Sequence, residues 1–170
     1  MGELELGVVQ SIDRPLPAGC VEVDVGANIG YLMTLDPCEV NCGYRLDGRV
    51  VTAAQALHVT AIDRYLDEHP VPRLDLVKCD TDGMEGHVFR GGVEMLRRFR
   101  PAVIFELGPG GLRQYGSSPD ELLAIFRSVG YRLHREGTLE PLGDLSALLE
   151  RLDRGGGGVA NVVALAKGGA

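Results

Sequence analysis

Val21-Glu22-Val23-Asp24-Val25-Gly26-Ala27-Asn28-Ile29-Gly30 is the stretch whose reading decides the fold. Residues 21–26 alternate β-branched and acidic side chains, the period-two signature of a strand, and then run into a glycine-rich turn. Gly26 and Gly30 let the backbone bend sharply and approach a ligand where a side chain would block it. In an open α/β sheet, ligands sit beyond the carboxyl ends of the strands, which is where this turn falls. The spacing is G-x-x-x-G, so the dinucleotide fingerprint G-x-G-x-x-G is absent, and a nicotinamide-dependent oxidoreductase is disfavoured. Asp24 has two readings: it accepts a hydrogen bond from a cationic or amide group of a ligand, or it caps neighbouring amides of the turn.

Further along, a second strand end carries chemistry. Leu74–Cys79 reads as a short buried strand that stops at Asp80-Thr81-Asp82-Gly83-Met84-Glu85. Its carboxylates beside a glycine turn suit a polar or cationic ligand, although acids also decorate helix N-termini for macrodipole reasons alone. A parallel sheet can bring both strand ends to one edge, and this strengthens both motifs. Between them, Tyr31–Met33 allows one or two helical turns, residues 34–49 read as loop, and 50–57 fit a strand or a short helix. Val59, Ile62 and Leu66 have helical spacing before Pro70, and a helix is expected over about 84–99. A strand is expected at 102–107, a loop over Gly108–Ser118, and a helix opened by Ser118-Pro119-Asp120-Glu121 as a capping box. Tyr131–Arg135 reads as a strand, Leu145–Leu152 as an amphipathic helix and Asn161–Ala166 as a last strand. This alternation predicts one α/β domain over 1–170. Its sheet is mostly parallel and covered on both faces, and its last two strands pair antiparallel at the edge.

Composition narrows the function. The 170 residues carry 17 Lys and Arg against 24 Asp and Glu, a formal charge of −7, which argues against a phosphate-tracking nucleic-acid surface. Gly is unusually frequent at 24 residues, about twice ordinary usage. No window approaches the run of about 20 apolar residues a membrane span needs, and Met1–Leu6 is acidic where a signal peptide would be basic. A cytoplasmic protein with a small-molecule partner is the expectation. Cys20, Cys38, Cys42 and Cys79 lack paired C-x2-C spacing, so no metal site is expected.

The same residues carry a family resemblance. Asp24–Gly30, in the form D-V-G-A-N-I-G, resembles motif I of class I S-adenosylmethionine-dependent methyltransferases, and is especially similar to the FkbM family. Thr60-Ala61-Ile62-Asp63-Arg64-Tyr65-Leu66 resembles that family's T-L-D-x-F/Y-L. Asp75–Glu85 resembles D-L-I-K-I-D-V-E-G-x-E, with Asp82 where Glu is commoner. Val88–Gly92 is similar to V-L-R-G-A, and Pro101–Glu106 to P-x-I-x-F-E. The resemblance implies a Rossmann-like class I methyltransferase sheet and S-adenosyl-L-methionine as cofactor. It also implies methyl transfer to a hydroxyl oxygen of a small molecule or sugar. By the same analogy Asp24, Gly26, Asn28 and Gly30 surround the cofactor, and Asp80 and Asp82 lie near its reacting end. Asp82 is then the candidate proton acceptor, ahead of His87, which falls off the apolar face of its helix.

One departure bears on fold and function together. Family members place a helix, two strands and another helix between motif I and the T-L-D-x-Y-L segment, and here only residues 31–59 are available. The sheet is therefore expected to lack one or two strands. Leu35-Asp36-Pro37 faintly resembles the family's F-E-P, whose acid holds the cofactor ribose. Asp36 lies six residues past Gly30, where about 20 is usual in a Rossmann unit. A homodimer that supplies the missing edge fits such a sheet. The alternative to an enzyme is a catalytically inactive methyltransferase-like remnant that serves as a binding or structural domain.

Overall fold

The structure, a computed structural model, describes residues 20–26, 45–46, 49–50, 60–154 and 158–167. In chain order the elements are β1 (Glu22–Val25), β2 (Arg45–Leu46), β3 (Arg49–Val50), α1 (Ile62–Glu68), β4 (Leu76–Cys79), α2 (Glu85–Arg90) and α3 (Val93–Phe99). They continue with β5 (Ala102–Leu107), α4 (Pro109–Gln114), α5 (Pro119–Ser128), β6 (Tyr131–Arg135), α6 (Leu145–Arg154) and β7 (Ala160–Ala166).

Five strands form one sheet in the order β1-β4-β5-β7-β6. β1, β4 and β5 run parallel, and β7 is antiparallel to both β5 and β6. The expected architecture is therefore present: a parallel half, and a closing pair of antiparallel strands at the edge. Between β1 and α1 the described residues add only β2 and β3, two residues each, which pair with one another and not with this sheet. That pair replaces part of the loop expected over 34–49. Residues 31–33 and 51–57 lie outside the described residues.

Alternation along each strand sorts the side chains. Val77 and Cys79 of β4, Val103, Phe105 and Leu107 of β5, and Val162 and Ala164 of β7 belong to one large apolar cluster. Every helix among the described residues contributes to it: Leu66, Phe89, Leu96, Leu112, Phe126 and Leu148 come from α1 to α6 in turn. At its centre Phe89, Phe105 and Phe126 meet with ring centroids 4.8 to 5.8 Å apart. Each ring buried this way contributes roughly 1.5–3 kcal/mol by removal from water. The opposite face carries a small cluster of Leu76, Ile104 and Val163, flanked by Ala102, Leu139 and Leu165. Among the described residues no helix contributes to it, where the strand–helix alternation predicts helices over both faces.

Two helices differ from their expected form. The single helix over 84–99 is broken at Gly91-Gly92 into α2 and α3. The break is made from a distance: the Asp63 carboxylate of α1 accepts from the amides of Glu94 and Met95 at 3.1 and 2.7 Å, and so caps α3. Asp63 in turn donates its own amide to the Gly91 carbonyl at 2.9 Å. A Cβ at Gly91 would lie 3.0 Å from the Ala61 Cβ, so a side chain there would crowd the α1 start. The second difference is α4, which forms within the glycine-rich stretch expected as loop, with Pro109 in its first turn and Leu112 buried.

Local chemistry elsewhere behaves as the residues dictate. Ser118 caps α5 by accepting from the Glu121 amide at 3.2 Å, and Pro119 follows in the first turn. The Glu121 carboxylate does not close the box on the cap; it accepts from the Ser117 hydroxyl at 3.3 Å. Tyr131 is buried and donates its hydroxyl to the Pro101 carbonyl at 2.9 Å, tying β6 to the entry of β5. Among the described residues, Cys20 and Cys79 are free thiols, and no helix is long and apolar enough to cross a membrane.

Candidate active site

The parallel register brings three strand ends level. Val25 of β1 is paired with Cys79 of β4, and Cys79 with Phe105 of β5. The next residues, Gly26, Asp80 and Glu106, therefore stand side by side at the carboxyl edge, where α/β sheets hold ligands. The Asp80 amide donates to the Val25 carbonyl at 2.9 Å. The glycine motif and the acidic motif, 54 residues apart between Gly26 and Asp80, thus share one edge.

Gly26 is required by this junction. Its φ is +89°, and a Cβ there would lie 1.8 Å from the Asp80 carbonyl oxygen. Only a residue without a side chain lets the two turns touch. Asp24 lies half-buried on β1, on the same face as Lys78, with which it is in register. Burial, followed by the charge of Asp24, pushes the Glu22 carboxyl on that face above its ordinary value. Asn28, Gly30 and Asp36, the other cofactor-binding expectations, lie outside the described residues.

The turn after β4 is built around Glu85. Glu85 is 1% exposed, and its Oε1 accepts from the Thr81 amide and hydroxyl, both at 2.9 Å, and from the Gly83 amide at 3.3 Å. Its Oε2 is buried without a hydrogen bond. This internal anchor holds Asp82 in the left-handed region at φ +53°, a conformation in which Asp is among the better tolerated residues. Gly83 follows at φ +109° and packs against Gly111 of α4, where a Cβ would come within 2.4 Å of the Gly111 carbonyl carbon. The Asp82 side chain is left exposed beside the strand ends.

Asp80 and Asp82 do not act alone. One carboxylate oxygen from each of Asp80, Asp82 and Glu106 lies within 4.8 Å of the other two. Glu106 is half-buried, and burial pushes its carboxyl up to about 7, with Asp80, Glu85 and Asp82 adding to the effect. Lys78 pairs with the cluster, its Nζ 3.7 Å from the Asp80 carboxylate. An open cavity of about 730 Å³ adjoins the cluster. Lys78, Asp80 and Glu106 line it from β4 and β5, Arg135 from β6, Arg151 from α6 and Asn161 from β7. Its size falls within the ordinary range for small-molecule sites.

Sequence reasoning missed Glu106 as a site residue. The signal was there: one acid interrupts an otherwise apolar strand, Ala102-Val103-Ile104-Phe105-Glu106-Leu107. His87, the weaker proton-acceptor candidate, is exposed, and its Nε2 lies 2.6 Å from the Tyr115 carbonyl oxygen. Cys79 is buried beneath the site, and burial pushes its thiol far above the ordinary range, so it is not a nucleophile.

No curated protein and no solved structure matches this chain. A family model, the methyltransferase FkbM domain, matches residues 45–133, which is more than half of the chain. The matched stretch holds β4, β5 and all three carboxylates of the cluster, and begins after the Asp24–Gly30 motif. On this match, and on the five-stranded mixed sheet that carries it, the chain belongs to the FkbM methyltransferase family.

Proposed function

We propose that this chain transfers the methyl group of S-adenosylmethionine to a hydroxyl oxygen of a small molecule, a sugar being the class its family resemblance suggests. The observation that carries the reading is the junction of Gly26 with Asp80, which sets the glycine motif and the acidic turn at one edge of the sheet. Asp24, Gly26 and Asp80 are the described residues that would hold the cofactor, together with Asn28, Gly30 and Asp36. The chemistry fits: the carboxylates of Asp80, Asp82 and Glu106, with oxygens within 4.8 Å of one another, complement a molecule bearing a sulfonium and an α-ammonium group. When bound, the cofactor supplies a methyl carbon activated by positively charged sulfur. The rest falls to the protein, which aligns the acceptor oxygen and receives its proton. The acidic turn puts Asp82 forward for that second task.

Calorimetric titration of the folded chain with S-adenosylhomocysteine tests the reading. Micromolar binding, weakened at least tenfold by Asp24→Ala, is expected. A folded chain that binds nothing would overturn it and favour a domain that keeps the scaffold without the chemistry.

A further inference from the structure

Resting on the methyl-transfer reading, we propose that Glu106, rather than Asp82, takes the proton of the acceptor hydroxyl. Glu106 stands in the cavity wall, half-buried, whereas Asp82 is exposed and does not line the cavity. Glu106 also sits on a regular strand, held in register against Asn161 of β7, so its carboxylate is placed by the sheet. Asp82 sits on a turn, and its carboxylate oxygen approaches those of Glu106 and Asp80 within 4.8 Å. Like charges this close resist ionising together, so Glu106 holds a proton more tightly than an isolated carboxylate would.

The surroundings make Glu106 a competent base near neutral pH. An ordinary carboxylate binds protons too weakly to draw one from an alcohol at useful rate, and a base working near pH 7 is most effective when it titrates there. Burial, then Asp80, Glu85 and Asp82, raise Glu106 to about 7. The other charged groups around the cavity are Lys78, Arg135, Glu136 and Arg151. Among the described residues none of the cations forms an ion pair with Glu106; Lys78 is engaged with Asp80. In the step itself, the acceptor oxygen bonds to the methyl carbon while its proton passes to a Glu106 oxygen. The carbon–sulfur bond of the methyl donor breaks with its electron pair left on sulfur. Glu106 then passes the proton to water.

The experiment compares the full wild-type chain with Glu106→Gln and Asp82→Asn by three readouts. Carbon-13 carboxyl titration without ligand should show Glu106 titrating near pH 7, and lower in Asp82→Asn, where one neighbouring charge is gone. Labelled methyl transfer from S-adenosylmethionine to a panel of methyl glycosides should rise with pH through about 7. Glu106→Gln should lower it about 100-fold or more and abolish the rise. Asp82→Asn should move the rise to lower pH. Calorimetry with S-adenosylhomocysteine separates the two levels of the argument. If the wild-type chain binds none, the methyl-transfer reading falls and this inference with it. If binding is intact and Glu106→Gln keeps both turnover and pH rise, only the role of Glu106 is overturned. A Glu106 midpoint at the ordinary 4.5 overturns it as well.

Discussion

The two faces of β4 and β5 are made from alternate residues of the same two short strands and differ sharply in character. On one face Val77, Cys79, Val103, Phe105 and Leu107 lock into the core that the six described helices share. On the other, Lys78 and Glu106 flank a cluster reduced to Leu76, Ile104 and Val163. Successive side chains point to opposite sides of a strand, so adjacent positions divide between stability and chemistry. Phe105 and Glu106 are the sharpest instance, neighbours in sequence of which one is a core ring and the other a carboxylate in the cavity wall.

Substitutions on either side of that divide should separate the roles. Phe105→Ala removes a ring that is 1% exposed and stacks on Phe126 at 4.8 Å. It should cost about 3–5 kcal/mol in chemical denaturation, the largest loss expected here. A loss below about 1 kcal/mol would break the assignment of that face to stability. Gly26→Ala tests the joint between β1 and β4. Its Cβ cannot fit beside the Asp80 carbonyl, and its φ of +89° disfavours any L side chain. A loss of about 2 kcal/mol or more is expected, together with weakened S-adenosylhomocysteine binding.

Glu106→Gln should act in the opposite direction on stability, and only above a certain pH. The folded carboxyl titrates at about 7 against an ordinary 4.5, so between these values the folded chain holds a proton that the unfolded chain has lost. Stability therefore falls as pH rises through that window, and the neutral amide escapes the fall. Thermal denaturation at pH 8 should show Glu106→Gln more stable by about 1 kcal/mol, a figure discounted because the side chain is half open to solvent. At pH 4.5 the advantage should shrink toward zero. A variant equally stabilised at both pH values would place its effect in packing rather than in charge.

Elements whose cause is local were legible in the sequence. The apolar run 102–107 and the strand 131–135 appear with the expected bounds, and Ser118-Pro119 opens a helix as its residue types require. The end of α2 was not legible, because what separates it from α3 is a carboxylate on another helix, Asp63, about 30 residues earlier. Nor was α4, since its glycines weaken helix propensity and its place is set by contact with Gly83 and by burial of Leu112. At the site, the residue types of both turns were readable, as was their meeting at one edge. Glu106 escaped because its importance depends on the parallel register that lifts it level with Asp80.

The Asp63 contact also bears on how the fold is reached. α1 and α3 are seven residues each, about two turns, too short to persist as isolated helices in water. The Asp63 carboxylate caps the start of α3, and the glycine break just before α3 accepts, at Gly91, the Asp63 amide in the first turn of α1. Each helix therefore supplies a boundary condition of its neighbour, and the two form as one cooperative unit. Amide exchange should register this directly: the Met95 and Asp63 amides become protected together, and Asp63→Ala exposes both.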